Sequence, residues 1–197
     1  QYLALRRDLD ILLCDHQRPL GNNHLFPAGE LREPASETQR ADMVCFTRYL
    51  GGPVKFSQKF LGSIPQIKTH LRLDSIINME NDDVCDAEAL KNQPVVAFCG
   101  IANPEGFRQI LEDSQVQLKV FKAFPDHHVY SLQDIKDLES RALEEGGKLI
   151  LVSEKDAVKL KDIKFSLPFY KVVIDLEILE GREIFNKKIT TTSRGDH

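Results

Sequence analysis

Short, unbroken apolar runs separated by helix-like segments constrain this chain more than any other feature. Val95 to Cys99 and Leu149 to Val152 are apolar at every position, and Asp10 to Cys14, closed by Asp15, is nearly so. A strand with no polar face needs cover on both sides, which antiparallel hairpins rarely give and crossover helices do. Met43 to Thr47, Lys119 to Phe124 and Tyr170 to Leu176 read as further strands. Helices fall between them. One begins at Pro104 with an apolar face of Phe107, Ile110 and Leu111, since proline at the first helical position loses no hydrogen bond. Another follows Ser131, an N-cap with Asp134 three residues on, and carries the stripe Leu132, Ile135, Leu138 and Ala142 until Gly146-Gly147 stops it. Short helices are expected over Ala35 to Arg40 and Lys155 to Lys161. Strands alternating with helices predict right-handed crossovers and a mostly parallel α/β fold.

Two stretches break the rhythm. Thr69 to Ile77 alternates apolar and polar residues, as an antiparallel strand or half a hairpin does, and acidic Met79 to Asn92 reads as a connector. Lys187 to His197 is polar and is expected to fray. The predicted organisation is therefore 1–52 as the end of one α/β unit, 53–92 as a linker with short antiparallel strands, 93–180 as a second α/β unit, and 181–197 as a tail. With 197 residues, 42% of them hydrophobic, the chain can offset the entropy of ordering two small units or one large one. The apolar runs are too short to span a bilayer. Thirty acidic against 26 basic residues leave a net charge of −4, which disfavours a general nucleic-acid binder. Cys14, Cys45, Cys85 and Cys99 form no C-x-x-C pair, so a zinc ribbon is excluded; three lie in apolar stretches, as buried free thiols do in a reducing compartment. The chain opens on Gln1 without an export signal, so a processed chain or a fragment is expected.

Ligands of open α/β sheets bind at the carboxyl ends of the strands, and three polar clusters fall there. The loop Leu20 to Pro34 is rich in Gly, Asn and Pro and long for a strand-to-helix connection. Phe124-Pro125-Asp126-His127-His128 directly follows a strand, and a histidine beside an aspartate can orient or relay a proton. Adjacent histidines diverge, and no third ligand points to a metal. Ser153-Glu154-Lys155-Asp156 opens a helix, where a lysine near the N-terminus attracts phosphate. A turn-rich surface loop, a solvated loop with a cap, and a capped acidic first turn are the bland alternatives. No G-x-x-x-x-G-K-[ST] or G-x-G-x-x-G is present; at Gly147-Lys148, Ala142 and Leu149 occupy the positions that a glycine and a Ser/Thr would need. From the residues alone, the chain is an α/β protein with a polar cleft of phosphate-binding character.

In order, these strings resemble one family, the tetraacyldisaccharide 4'-kinases (lipid A 4'-kinases) of Gram-negative bacteria. The resemblance is carried by Leu5 to Asp8 with Asp10-Ile11, Leu20-Gly21-Asn22, Leu25-Phe26-Pro27-Ala28-Gly29, Leu31-Arg32-Glu33-Pro34 and Arg40-Ala41-Asp42. It continues through Phe98-Cys99-Gly100-Ile101-Ala102-Asn103-Pro104, Phe124-Pro125-Asp126-His127-His128 and Glu154-Lys155-Asp156-Ala157-Val158-Lys159, covering residue 1 to about residue 175. It implies the remainder of a P-loop-type α/β/α domain, a small β linker and a second α/β/α domain, with the active site between them. It further implies transfer of a phosphoryl group from ATP, with Mg²⁺, to the 4'-hydroxyl of a tetraacylated disaccharide 1-phosphate, the lipid A precursor. The protein would be a monomer that binds no nucleic acid, on the cytoplasmic face of the inner membrane. Gln1 matches the last residue of an acidic D-D-G-F-Q motif and would lie at the nucleotide; Tyr2 stands where the family has histidine. The phosphate loop and a catalytic aspartate belong to the N-terminal portion of family members. By position, His127 with Asp126 would be catalytic, and Asn22, Arg32, Glu33, Lys155 and Asp156 would bind substrate, with no metal ligand among them. This chain alone would then be inactive. The competing reading is a non-catalytic α/β module for a sugar phosphate or lipid headgroup, and a pure interaction domain ranks last.

Overall fold

The computed structural model describes residues 7–161 and 163–193. In chain order its strands are β1 (Ile11–Asp15), β2 (Met43–Thr47), β3 (Gln66–Asn78), β4 (Val84–Asp86), β5 (Pro94–Cys99), β6 (Gln117–Ala123), β7 (Leu149–Ser153) and β8 (Phe169–Glu180). Its α-helices are α1 (Gln58–Leu61), α2 (Pro104–Asp113), α3 (Leu132–Glu144), α4 (Glu154–Ala157) and α5 (Arg182–Ser193), with 3₁₀ turns over Ala35–Arg40, Ala87–Leu90 and Val158–Leu160. The chain divides into two compact units, residues up to 70 together with those from 176 on, and Leu71–Asp175.

In the first unit β1 pairs in parallel with β2, and β2 with the start of β3. One core cluster gathers Cys14, Val44, Phe46, Phe56 and Leu61; another gathers Met43, Cys45 and Ile67, against which Phe185 of α5 packs. Consecutive residues of β2 thus feed opposite faces, which is why its run is unbroken. Of the segment Lys187 to His197 expected to fray, residues through Ser193 belong instead to α5, which Phe185 anchors, and the rest lies outside the described residues.

The second unit has the parallel order β6-β5-β7-β8. Val95, Ala97 and Cys99 of β5 face Phe107, Ile110 and Leu111 of α2. Val96 and Phe98 face Ile135, Leu138 and Ala142 of α3. One helix therefore covers each face, as the unbroken apolar strand requires, and a fully buried leucine such as Leu138 contributes about 1.5–3 kcal/mol. α2 begins at Pro104 as expected, with the Asn103 side chain accepting from Gly106 N–H (3.1 Å). α3 carries the expected capping box: Ser131 Oγ accepts from Asp134 N–H (3.1 Å) and Asp134 Oδ2 accepts from Ser131 N–H (2.9 Å). Met79 to Asn92 is not a featureless connector. Its β4 pairs antiparallel with the end of β3, and Leu90 is buried. Strand β3 is accordingly mixed, parallel to β2 at its start and half of a hairpin at its end.

Candidate functional site

The loop after β6 carries the most developed cluster. Phe124 N–H donates to the Cys99 carbonyl at the end of β5 (2.8 Å), and His127 N–H faces both the Gly100 carbonyl (3.3 Å) and Asp126 Oδ1 (3.0 Å). His127 has φ of 61°, the left-handed region that a non-glycine residue occupies only when its surroundings over-determine it. Its side chain is 76% exposed, with Nε2 3.7 Å from Asp126 Oδ2. Lys155 at the start of α4 donates to Asp126 Oδ1 (3.2 Å); that bond, and next to it the charges of His127 and Lys155, hold the Asp126 carboxyl below its ordinary range. The two histidines have separate fates. His128 stacks on Phe124 (4.6 Å between centroids), and its Nε2 lies 3.2 Å from Asp134 Oδ2, so it clamps the loop to the α3 cap.

Asp156, expected at the substrate, is placed inside the second unit with no exposed surface. Its Oδ2 accepts from Gly100 N–H (2.7 Å) and Ser153 Oγ (2.6 Å), and its Oδ1 accepts from Lys159 Nζ (2.7 Å). Burial opposes its charge, yet the bonds from Lys159, Ser153 and Gly100 hold its pKa below the usual value. Tyr130, buried beside it, is pushed up by burial and then by the Asp156 charge. A β-carbon at Gly100 would stand 2.9 Å from the Tyr130 hydroxyl and 3.1 Å from the Pro125 carbonyl, so this turn admits only glycine without rearrangement. Asp126, His127, Lys155 and Asp156 thus form one assembly. The sequence reading missed what holds it: Lys159, which is three residues from Asp156 on one helical turn, and Tyr130.

In the first unit the long loop is folded on itself. Asn22 Oδ1 accepts from His24 N–H (3.2 Å), its Nδ2 donates to the Ala28 carbonyl (3.1 Å), and Phe26 N–H donates to the Leu31 carbonyl (2.7 Å). A β-carbon at Gly29 would lie 2.1 Å from Asn22 Oδ1, so Asn22 and Gly29 need each other. Arg32 and Glu33 line a cleft of about 740 Å³ together with Arg7, Asp10 and Arg40. Glu33 is tied to Arg40. Arg32 is exposed and has no ion pair among the described residues. Asn22 shapes the loop and is absent from the cleft wall. Gln1 lies outside the described residues.

Parallel strands covered by helices, with polar loops at their carboxyl ends, define an α/β protein of the kind that binds ligands at strand ends. The model of the tetraacyldisaccharide-1-P 4'-kinase family matches residues 1–193. A tetraacyldisaccharide 4'-kinase of Geobacter sulfurreducens is 35% identical over 91% of this chain and 50% of its own length; one of Pelobacter propionicus is 38% identical over 81% and 44%. A crystal structure of LpxK from Aquifex aeolicus in complex with ATP matches at a TM-score of 0.70 and 28% identity, over 98% of this chain and 55% of that one. The chain belongs to the tetraacyldisaccharide-1-P 4'-kinase family, and it spans about half the length of the curated relatives it matches.

Proposed function

We propose that the protein transfers the γ-phosphoryl group of ATP to the 4'-hydroxyl of a tetraacylated disaccharide 1-phosphate, in lipid A biosynthesis. Its proposed place is the cytoplasmic face of the inner membrane of a Gram-negative bacterium, as a peripheral monomer. No helix among the described residues is long and apolar enough to cross a membrane. The observation that carries the reading is the exposed His127 imidazole beside Asp126 at the strand ends, in a chain of this family. A sugar hydroxyl is a poor nucleophile until its proton has somewhere to go. His127 takes that proton as the oxygen–phosphorus bond forms and the bond to ADP breaks, and the Asp126 carboxylate stabilises the imidazolium. The family resemblance adds a catalytic aspartate as a partner for His127 in the portion of the relatives that this chain does not span. Arg32, which has no ion pair among the described residues, would receive the lipid's 1-phosphate, a charge-assisted contact of about 1.5–3 kcal/mol. Asn22 and Glu33 keep its loop in shape.

Mg²⁺ belongs to the proposal through the family alone. Among the described residues no group of three or more His, Cys, Asp or Glu could hold a metal ion, so no step is routed through one. The test is phosphorylation of the lipid precursor by the full-length protein, read by mass and by the position of the new phosphate. His127→Ala lowers turnover by a factor of about 10²–10⁴. Near-normal turnover removes His127 from the mechanism.

A further inference from the structure

Two consecutive residues of α4 hold the loop that carries His127, one from the surface and one from the core. Lys155 binds Asp126 Oδ1, the same oxygen that accepts the His127 backbone N–H. Asp156 binds Gly100 N–H, and the Gly100 carbonyl is the second acceptor facing that His127 N–H. Asp156 cannot swing away without stranding Lys159 Nζ and the Gly100 amide, and Lys159 is in turn set 5.6 Å from the centre of the Tyr130 ring. There is no slack above the turn either, since a β-carbon at Gly100 would also come within 3.3 Å of His128 Cβ. A left-handed residue such as His127 stays in place only under such constraint.

We propose that Asp156, fixed by Lys159, is a positioning residue for His127, acting through Gly100 and touching neither lipid nor nucleotide. The inference rests on the reading of His127 as the group beside the reacting hydroxyl. Its charge matters because asparagine would turn an amide NH₂ either against the Lys159 ammonium or against the Gly100 and Ser153 donors.

The experiment is a kinetic series in the full-length protein, each variant first verified as folded by its melting curve. Asp156→Asn and Lys159→Met lower kcat about 10–100-fold with both KM values nearly unchanged, as a displaced reacting group does. Lys159→Arg, which keeps the charge, stays near wild type. Asp156→Asn added to His127→Ala costs nothing further, because its effect passes through the missing imidazole. Unchanged kcat in Asp156→Asn, or full multiplication of the two losses, overturns the inference. Should Asp156→Asn not fold, Lys159→Met, altered at a side chain that is 25% exposed, carries the same comparison. Wild-type turnover in His127→Ala would defeat the functional reading instead. The positioning claim is then decided by the His127 backbone amide: Lys159→Met shifts its NMR signal and speeds its exchange, or leaves both unchanged and refutes the claim.

Discussion

Asp156 is the residue at which burial and charge meet most directly, and its titration should be visible in stability. An unfolded aspartate titrates near about 3.9, whereas the donors from Lys159, Ser153 and Gly100 hold the folded one lower. Just below that unfolded value the unfolded chain binds a proton that the folded chain does not, so stability falls as pH drops. The contribution is complete above about pH 5 and is lost as pH passes down through the folded pKa. The Cys99 thiol and the Tyr130 hydroxyl beside it stay neutral over this range: burial, then the Asp156 charge, pushes Cys99 up to about 11 and raises Tyr130 as well. Asp156→Asn should therefore cost about 1.5–3 kcal/mol at pH 7, as weakening hydrogen bonds to a charged group does. Urea titrations from pH 7 to 3 should show the gap to wild type narrowing in acid. A gap that stays constant would mean that Asp156 carries no native charge. None of this is legible in the string Glu154-Lys155-Asp156, which reads as a solvated acidic first turn. The partner that makes Asp156 a core residue is Gly100, 56 positions away.

At the scale of elements, the parts encoded locally were readable and those made by distant pairing were not. The start of α3 is local: Ser131, Asp134 and the following apolar stripe are contained in a dozen residues, and the structure forms the reciprocal cap they imply. Ser131→Ala removes the acceptor for Asp134 N–H and the hydroxyl that donates to Asp134 Oδ2 (2.8 Å). It should lower stability by about 0.5–2 kcal/mol in chemical denaturation. It should also loosen His128, which shares that oxygen of Asp134; a loss below about 0.3 kcal/mol would make the cap idle. β4 has no comparable signal. Three residues with one exposed valine become a strand only because Ile76 and Ile77 of β3 lie opposite Cys85 and Val84. The same holds for the candidate site. The Asp126–His127 string was visible from its place after a strand, whereas Lys155, Gly100 and Tyr130 became its supports only through the packing of α4 and β5.

For the whole molecule, the decisive question is whether this length of chain can hold a nucleotide. A triphosphate is gripped by successive backbone N–H groups of a glycine-rich turn, by a lysine that reaches the outer phosphates, and by a cation. The sequence has no such turn, since Ala142 and Leu149 flank its single Gly-Lys pair at the wrong positions, and Gly147-Lys148 sits between the end of α3 and β7. The described residues also offer no metal-holding cluster. What they do offer, Arg32 on an open cleft and Lys155 already engaged by Asp126, provides single contacts. Such contacts suit a sugar phosphate better than a triphosphate. The 197-residue chain should therefore give no saturable heat with ATP up to about 1 mM in calorimetry, which corresponds to a binding free energy weaker than about 4 kcal/mol. A tetraacyldisaccharide 4'-kinase of the relatives' full length should bind in the same titration. Micromolar binding by the 197-residue chain would locate the nucleotide site within these residues and overturn the assignment of Arg32 to the lipid phosphate. No binding by either would instead count against the kinase reading itself, leaving the module that recognises a sugar phosphate as the account to test.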